Sequence, residues 1–525
     1  MIHCPPLLAP LLLVALAACG GNDSRGSTPV TPEPAPPAPP PAPVQQATCT
    51  APVRLEVGES SELPAAADGG TLCTIAADRG AEFVVAFVDT RAVRKAETGP
   101  EGYGAVFPDY SVAVSTAGQA TLAGPSMDRR APERTPHFVT APAPPAHAAS
   151  LRDRPWTLGE TFSLYDPAIQ QPRQARVLRV YDRHFVVAAY DGDAADLLPR
   201  FMAQMDSAWE AVGGHAVPLM RAAYSRDLPV TTPESGQFLI ILRQDPNGGV
   251  LGRTLSDRSF GAPRMWTDIK IREKSGYLEL AELVAHEVAH AFQALYMYGS
   301  RPEEWYESAA GATFWATEGG ADFVSFETVR RASGVALTAN FDARGPGLAP
   351  AARRIAERAH GLGGALTWGY DAPAAFLRNL AARRVLAGEP VDDAMREVLR
   401  GAADGWNGWD SYGVRRTGLS ARMRERLGPS WSGGDALLDW ALAHAADDLT
   451  SDARYQDPLF LRVHEIRTPY SAWRPIATIA AGTQGGRARL PHSSPGYILM
   501  KIDSDARLSG VTDTPGVRWK ILRRR

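Results

Sequence analysis

Lysine and cysteine are the residues this chain has least of. Only five of its 55 cationic residues are lysine (Lys95, Lys270, Lys274, Lys501 and Lys520). The remainder are arginine, and arginine-favouring codon usage accounts for them without giving each guanidinium a task. No excess of one sign exists either. The 55 Lys and Arg stand against 58 Asp and Glu, a formal charge of −3 over 525 residues. Such a balance offers a polyanion no broad field, so the totals give nucleic-acid binding no support. The four cysteines form no Cys-x-x-Cys, which excludes the common thiolate metal and dithiol redox motifs. A Gly-rich phosphate loop, a Gly-x-Ser-x-Gly elbow and an internal repeat are also missing. What remains is 45% hydrophobic and 22% charged, the balance of a globular protein rather than of a disordered or polytopic membrane chain. At roughly 150 residues per domain the length predicts two to four domains, each large enough for its own core.

The first apolar stretch, Leu7 to Leu16, is interrupted by Pro10 and spans about ten residues where a bilayer-crossing helix needs about twenty. It reads as the hydrophobic region of an export signal over residues 1–18. Its end, Leu16-Ala17-Ala18-Cys19, resembles the lipobox of bacterial lipoproteins, although Met1-Ile2-His3 carries none of the usual cations. That resemblance implies cleavage before Cys19 and acylation of its thiol, so that buried methylenes anchor the chain to a bilayer at about 0.8 kcal/mol each. An ordinary cleaved signal with an incidental Cys19 is the other reading. Gly20 after the cysteine is similar to the outer-membrane-sorted class, if the source is Gram-negative. Localisation is thus expected at the cell envelope, facing periplasm or exterior. Nine prolines between Pro29 and Pro43 favour extended polyproline II, making residues 19–47 a semi-rigid tether. With Cys4 lost and Cys19 acylated, Cys49 and Cys73 remain as a pair, and an export compartment permits their disulfide.

Residues 48–135 are rich in short alternating apolar runs and predict an N-terminal β domain, although residues 50–150 read equally well as a propeptide. After a Pro/Ala stretch, strand patterns at 175–181, 184–190, 237–242 and 265–271 alternate with a helical one at 194–212. A long helical pattern begins near Tyr277, and helices dominate to about residue 450. These form one expected domain, 151–450. Residues 455–525 return to strands and predict a C-terminal β domain. The fold class predicted is α+β.

Chemistry concentrates at His286-Glu287-Val288-Ala289-His290, inside a run of strong helix formers without Gly or Pro. At 3.6 residues per turn the two histidines stack on one face, where both can reach one metal ion at about 2.0–2.1 Å. Glu287 is rotated about 100° away. It can lie beside the ion and accept a proton from a polarised water. The metzincin continuation is excluded, because Gln293 and Tyr296 occupy its Gly and His positions. The close carboxylate intervals of thermolysin-like and aminopeptidase gluzincins fall on Ala310 and Ala309, which cannot bind metal. Phe314-Trp315-Ala316-Thr317-Glu318-Gly319-Gly320-Ala321-Asp322-Phe323 offers Glu318 instead, on a second helix. Two helix-interior glycines cost about 1 kcal/mol each, and the reason predicted for them is close approach to the metal-bearing helix. Asp322, one turn on, can accept the second ring N–H of a ligand histidine, with His286 as the first choice. Glu303, Glu304 and Glu307 are rival carboxylates that lack this setting.

Leu283 to Phe323 resembles the gluzincin branch of the MA-clan zinc metallopeptidases, closer to the collagenase-type and hyicolysin-type pattern than to thermolysin. The resemblance implies zinc held by His286, His290 and Glu318, with Glu287 as general base, in a cleft between a mixed β/α subdomain and a helical one. It also implies that the edge strand ahead of the active-site helix, near residues 266–271, pairs with an extended protein or peptide substrate. The Gly-x-Met-Glu-Asn motif of the aminopeptidase branch is absent, which favours an endopeptidase over an exopeptidase. Peptide hydrolysis further needs an oxyanion donor. Tyr370 is the candidate, beside the helix cap Asp371 and Pro373; packing of its ring without catalysis is an equal reading, and His360 is the second choice. Trp406, Trp409 and Tyr412 read as loop packing before a substrate platform. A function of another class stays open: an adhesin-like binding lipoprotein whose zinc is structural or idle.

Overall fold

The computed structural model divides into residues 1–43 and 44–525. The described residues all belong to the second unit. Residues 1–44, 94–108, 129–153, 299–313, 343–370, 447–461 and 465–475, with several shorter stretches, lie outside them. Cys19, the signal and nearly all of the tether therefore lie outside the described residues.

Strands β1 (Gln46–Thr48), β2 (Ser60–Leu63), β3 (Gly70–Ile75), β4 (Ala81–Asp89), β5 (Tyr110–Ser115) and β6 (Met127–Asp128) come first. Next are β7 (Thr161–Asp166), β8 (Gln171–Tyr181), β9 (Phe185–Tyr190), β10 (Phe238–Arg243), β11 (Gly252–Asp257) and β12 (Arg264–Lys270). Helix α1 (Leu198–Ala211), a π-helical turn (Val212–Ala216) and α2 (Val217–Ala223) connect β9 to β10. After β12 run α3 (Tyr277–Tyr298), α4 (Phe314–Ala332), α5 (Asp371–Leu386), α6 (Val391–Ala403), α7 (Leu419–Leu427) and α8 (Gly433–Ala446). Two short strands, β13 (Asn340–Asp342) and β14 (Arg462–His464), pair with each other. The chain ends in β15 (Thr478–Ala480), β16 (Gln484–Leu490), β17 (Gly496–Ile502), β18 (Ala506–Thr512) and β19 (Val517–Arg523). The class is α+β, and among the described residues no helix is long and apolar enough to cross a membrane.

The middle sheet has the order β11-β12-β10-β9-β8-β7. Strands β9, β10 and β12 are mutually parallel, whereas β11 runs antiparallel to β12. The Phe238-Leu239-Ile240-Ile241-Leu242 run of β10 is continuous because both faces are covered. Phe238, Ile240 and Leu242 join the helical core, and Leu239 and Ile241 pack with Trp156 and Trp266 on the other face. Helix α3 is apolar almost all round, with Val284, Ala285, Val288, Ala289 and Phe292 buried, as befits a helix enclosed between sheet and helices. One expectation is corrected here. Residues 266–270 belong to β12, which is internal; among the described residues the edge is β11, whose short, polar sequence gave no strand signal.

A second correction concerns the two predicted β domains. Strands from residues 48–135 and 455–525 interleave in two sheets, β1-β3-β18-β5-β16-β6 and β15-β17-β4-β19-β2. Separate domains would leave β4 without partners, whereas here it lies between β17 and β19. One shared core, including Phe83, Phe87, Ile498 and Trp519, fills the sandwich. The β4 sheet turns its other face, with Val84, Ala86 and Leu522, to Ala441 and Leu442 of α8. Ion pairs Arg518–Asp435 at 2.5 Å and Lys520–Asp439 at 2.6 Å add to that seam. Gln46 and Ala47, expected in the tether, already belong to β1. The disulfide between Cys49 and Cys73 is present.

Candidate metal centre

Helix α3 sets His286 and His290 one turn apart, and their rings meet edge to face with Nε2 atoms 3.0 Å apart. Helix α4 packs across α3 and brings Glu318 Oε2 to 3.2 Å from His286 Nε2 and 3.4 Å from His290 Nε2. Among the described residues this is the one group of three His, Cys, Asp or Glu side chains whose ligand atoms converge so closely. Glu318 Oε2 is buried and makes no hydrogen bond of acceptable geometry among the described residues. An unmet buried carboxylate oxygen is costly unless a cation compensates it. The spacing fits one: ligands 2.0–2.1 Å from a tetrahedral ion stand about 3.3 Å apart. The three residues can therefore bind a metal ion.

The outer partners fix which ring nitrogens face inward. His286 Nδ1–H donates to Asp322 Oδ1 at 2.8 Å, and His290 Nδ1–H donates to Gln293 Oε1 at 3.0 Å. Each bond leaves Nε2 as the lone-pair atom of the neutral ring. Gln293 Nε2–H in turn donates to the carbonyl of Thr317 at 2.9 Å and lies 3.3 Å from the Tyr224 hydroxyl. One amide thus ties His290 to the residue preceding Glu318. Without a cation, burial pushes the His286 pKa down, but Asp322 and Glu318 outweigh it and hold the imidazole well above its usual value. Burial raises Glu318, yet the imidazoles of His290 and His286 prevail and lower its carboxyl to about 2.

The two glycines of α4 do different things. A Cβ on Gly320 would stand 2.8 Å from Gln293 Nε2 and 3.0 Å from the Tyr224 hydroxyl, so this glycine admits α3 as expected. A Cβ on Gly319 would meet Pro373 Cβ at 2.5 Å. Being about 100° round the helix from Gly320, it admits the first turn of α5 instead, a correction to the expectation that both face α3.

Glu287 is buried, and its backbone carbonyl and Oε2 lie 2.7 and 3.0 Å from the Thr254 hydroxyl on β11. Burial raises its pKa above the ordinary carboxylate value, with the nearby imidazoles opposing. The structure thus brings together His286, Glu287, His290, Glu318 and Asp322 of the residues expected from sequence. Tyr370, His360, Glu303, Glu304, Glu307, Trp409 and Tyr412 lie outside the described residues. Trp406 is buried, its ring centroid 6.3 Å from that of Phe376 and 6.0 Å from that of Trp431, which is loop packing. Gln293, Thr254 and Tyr224 were missed. Gln293 had a signal, standing three residues after His290 on the same helix face; Thr254 and Tyr224 had none. Compared with known proteins, the chain matches no protein-family model and no curated protein.

Proposed function

We propose that the chain is a zinc-dependent metallopeptidase of the gluzincin type, acting as an endopeptidase on protein or peptide substrates. The observation that carries this reading is the convergence of two Nε2 atoms on a buried carboxylate oxygen that makes no hydrogen bond of acceptable geometry among the described residues. Two imidazoles and one carboxylate are a ligand set that suits zinc and leaves a coordination position open. Zinc there would supply a Lewis acid that polarises the scissile carbonyl and eases ionisation of water. Glu287 takes the proton of the attacking water and returns it to the amide nitrogen, so that the C–N bond breaks and a neutral amine leaves. A carboxylate raised by burial suits that role, because a higher pKa makes it a stronger acceptor for the proton of water. Asp322 and Gln293 hold both rings in register throughout. Strand β11, at the end of its sheet, offers backbone groups to an extended substrate by β-addition, and Tyr370 is the candidate oxyanion donor. The gluzincin core would comprise the middle sheet, α3 and the helices that follow. Acylated Cys19 would hold the enzyme at the cell envelope on its Pro-rich tether, a point that mass spectrometry of the mature N-terminus decides.

The test is cleavage of an unfolded protein by the purified chain with and without a chelator. Cleavage should disappear with the metal and return with zinc, and Glu287→Gln should lower it by about 10³-fold while zinc stays bound. Activity indifferent to both would overturn the proposal.

A further inference from the structure

Strand β11 holds Glu287 from two sides. Thr254 and Gly252 are two residues apart, so they share a face of the strand, and that face meets the carboxylate. The buried Thr254 hydroxyl lies 3.0 Å from Glu287 Oε2 and 2.7 Å from the backbone carbonyl of the same residue. Behind it stands the Thr267 hydroxyl of β12, 3.1 Å away and able to donate to Thr254 Oγ1. On the other side Gly252 has no side chain, and a Cβ built there would come within 2.9 Å of Glu287 Cγ, 2.9 Å of Oε1 and 2.9 Å of Leu283 Cδ1. One oxygen of the carboxylate is therefore hydrogen-bonded and the other lies against bare backbone. A larger residue at 252 must displace the Glu287 side chain, the Leu283 methyl, or both.

We infer that Thr254 and Gly252 are positioning residues that clamp the Glu287 carboxylate between the edge strand and helix α3. The inference rests on the peptidase reading but adds a requirement to it. The strand nearest the substrate also sets the rotamer of the base, Thr254 by its hydroxyl and Gly252 by the space it leaves. Neither residue touches the His286, His290, Glu318 group through any contact described above, so the clamp should act on turnover and not on the metal.

The variants are Thr254→Val, which keeps the shape and removes the hydroxyl, Thr254→Ser, which restores it, and Gly252→Ala. Each is compared with the wild type using the best-cleaved member of a blocked fluorogenic peptide library. Zinc affinity is measured separately by competition with a chromophoric chelator. Thr254→Val and Gly252→Ala should lower kcat by about 100-fold, the effect of misplacing a reacting group by about 1 Å, with KM and zinc affinity within about twofold. Thr254→Ser should recover most of kcat, and crystal structures of the Val and Ala variants should show the Glu287 carboxylate moved. Unchanged kcat in both variants, a Ser variant as poor as Val, or parallel loss of zinc would each overturn the clamp. Should Thr254→Val fail to fold, Gly252→Ala decides alone, since its site is only partly buried. If instead the wild type holds no zinc, or Glu287→Gln cleaves as well as the wild type, it is the peptidase reading that falls.

Discussion

Gln293 occupies a position that, by sequence pattern alone, only excluded the metzincin continuation. In the fold its amide accepts from His290 Nδ1–H and donates to the carbonyl of Thr317, so it orients one candidate ligand and anchors the helix that carries another. Partners of this kind change metal affinity by about 10–100-fold. Gln293→Leu should therefore weaken zinc binding by about that factor in a chelator competition, and Asp322→Leu should do the same through His286. The convergence of the three candidate ligands was legible because helical spacing stacks residues four apart and Glu318 lies in a Gly-Gly-x-Asp setting. Thr254 was not, since nothing in a strand thirty-odd residues earlier records which helix face it will meet.

Helix α4 carries two contacts that sequence periodicity blurred. Gly319 faces Pro373 and backbone, which cannot yield, whereas Gly320 faces the movable end of Gln293. Gly319→Ala should cost about 3 kcal/mol of stability and Gly320→Ala about 1 kcal/mol, and only the second should also lower zinc affinity. Gly214, in the π-helical turn with open space around it, is the control; Gly214→Ala should stabilise by about 0.5–1 kcal/mol in urea unfolding. Further along α4, buried Glu327 pairs with Arg330 at 2.5 Å and Arg331 at 2.6 Å. Burial alone would raise its pKa, but the Arg330 hydrogen bond and the charges of Arg378, Arg330 and Arg331 lower it. A carboxylate depressed in the folded state stabilises above its unfolded value of about 4.3 and loses that contribution as the pH falls through the lower folded value. Glu327→Ala should thus cost about 3 kcal/mol at pH 7, and the gap from wild type should narrow below about pH 4.

At the scale of the whole molecule, strand content was readable at both ends of the chain, but pairing was not. Alternation identifies a strand without naming its neighbour, and contiguity in sequence wrongly suggested two domains. Because β4 lies between β17 and β19, and β5 between β18 and β16, residues 81–89 and 110–115 are part of the sandwich core. A chain truncated to begin after residue 120 should fail to fold, whereas a removable propeptide would leave a stable remainder; circular dichroism and limited proteolysis of the truncated form distinguish the two. The Cys49–Cys73 bond, closing a loop with a sequence separation of 24, should contribute about 3 kcal/mol, read as the stability lost in Cys49→Ser/Cys73→Ser. Whether the two α3 imidazoles and the α4 carboxylate hold one cation is asked most directly by calorimetric titration of the chelator-stripped chain with zinc. It should show one site per chain, weakened about 100-fold or more in Glu318→Ala. No saturable site, or the same affinity in Glu318→Ala, would contradict it.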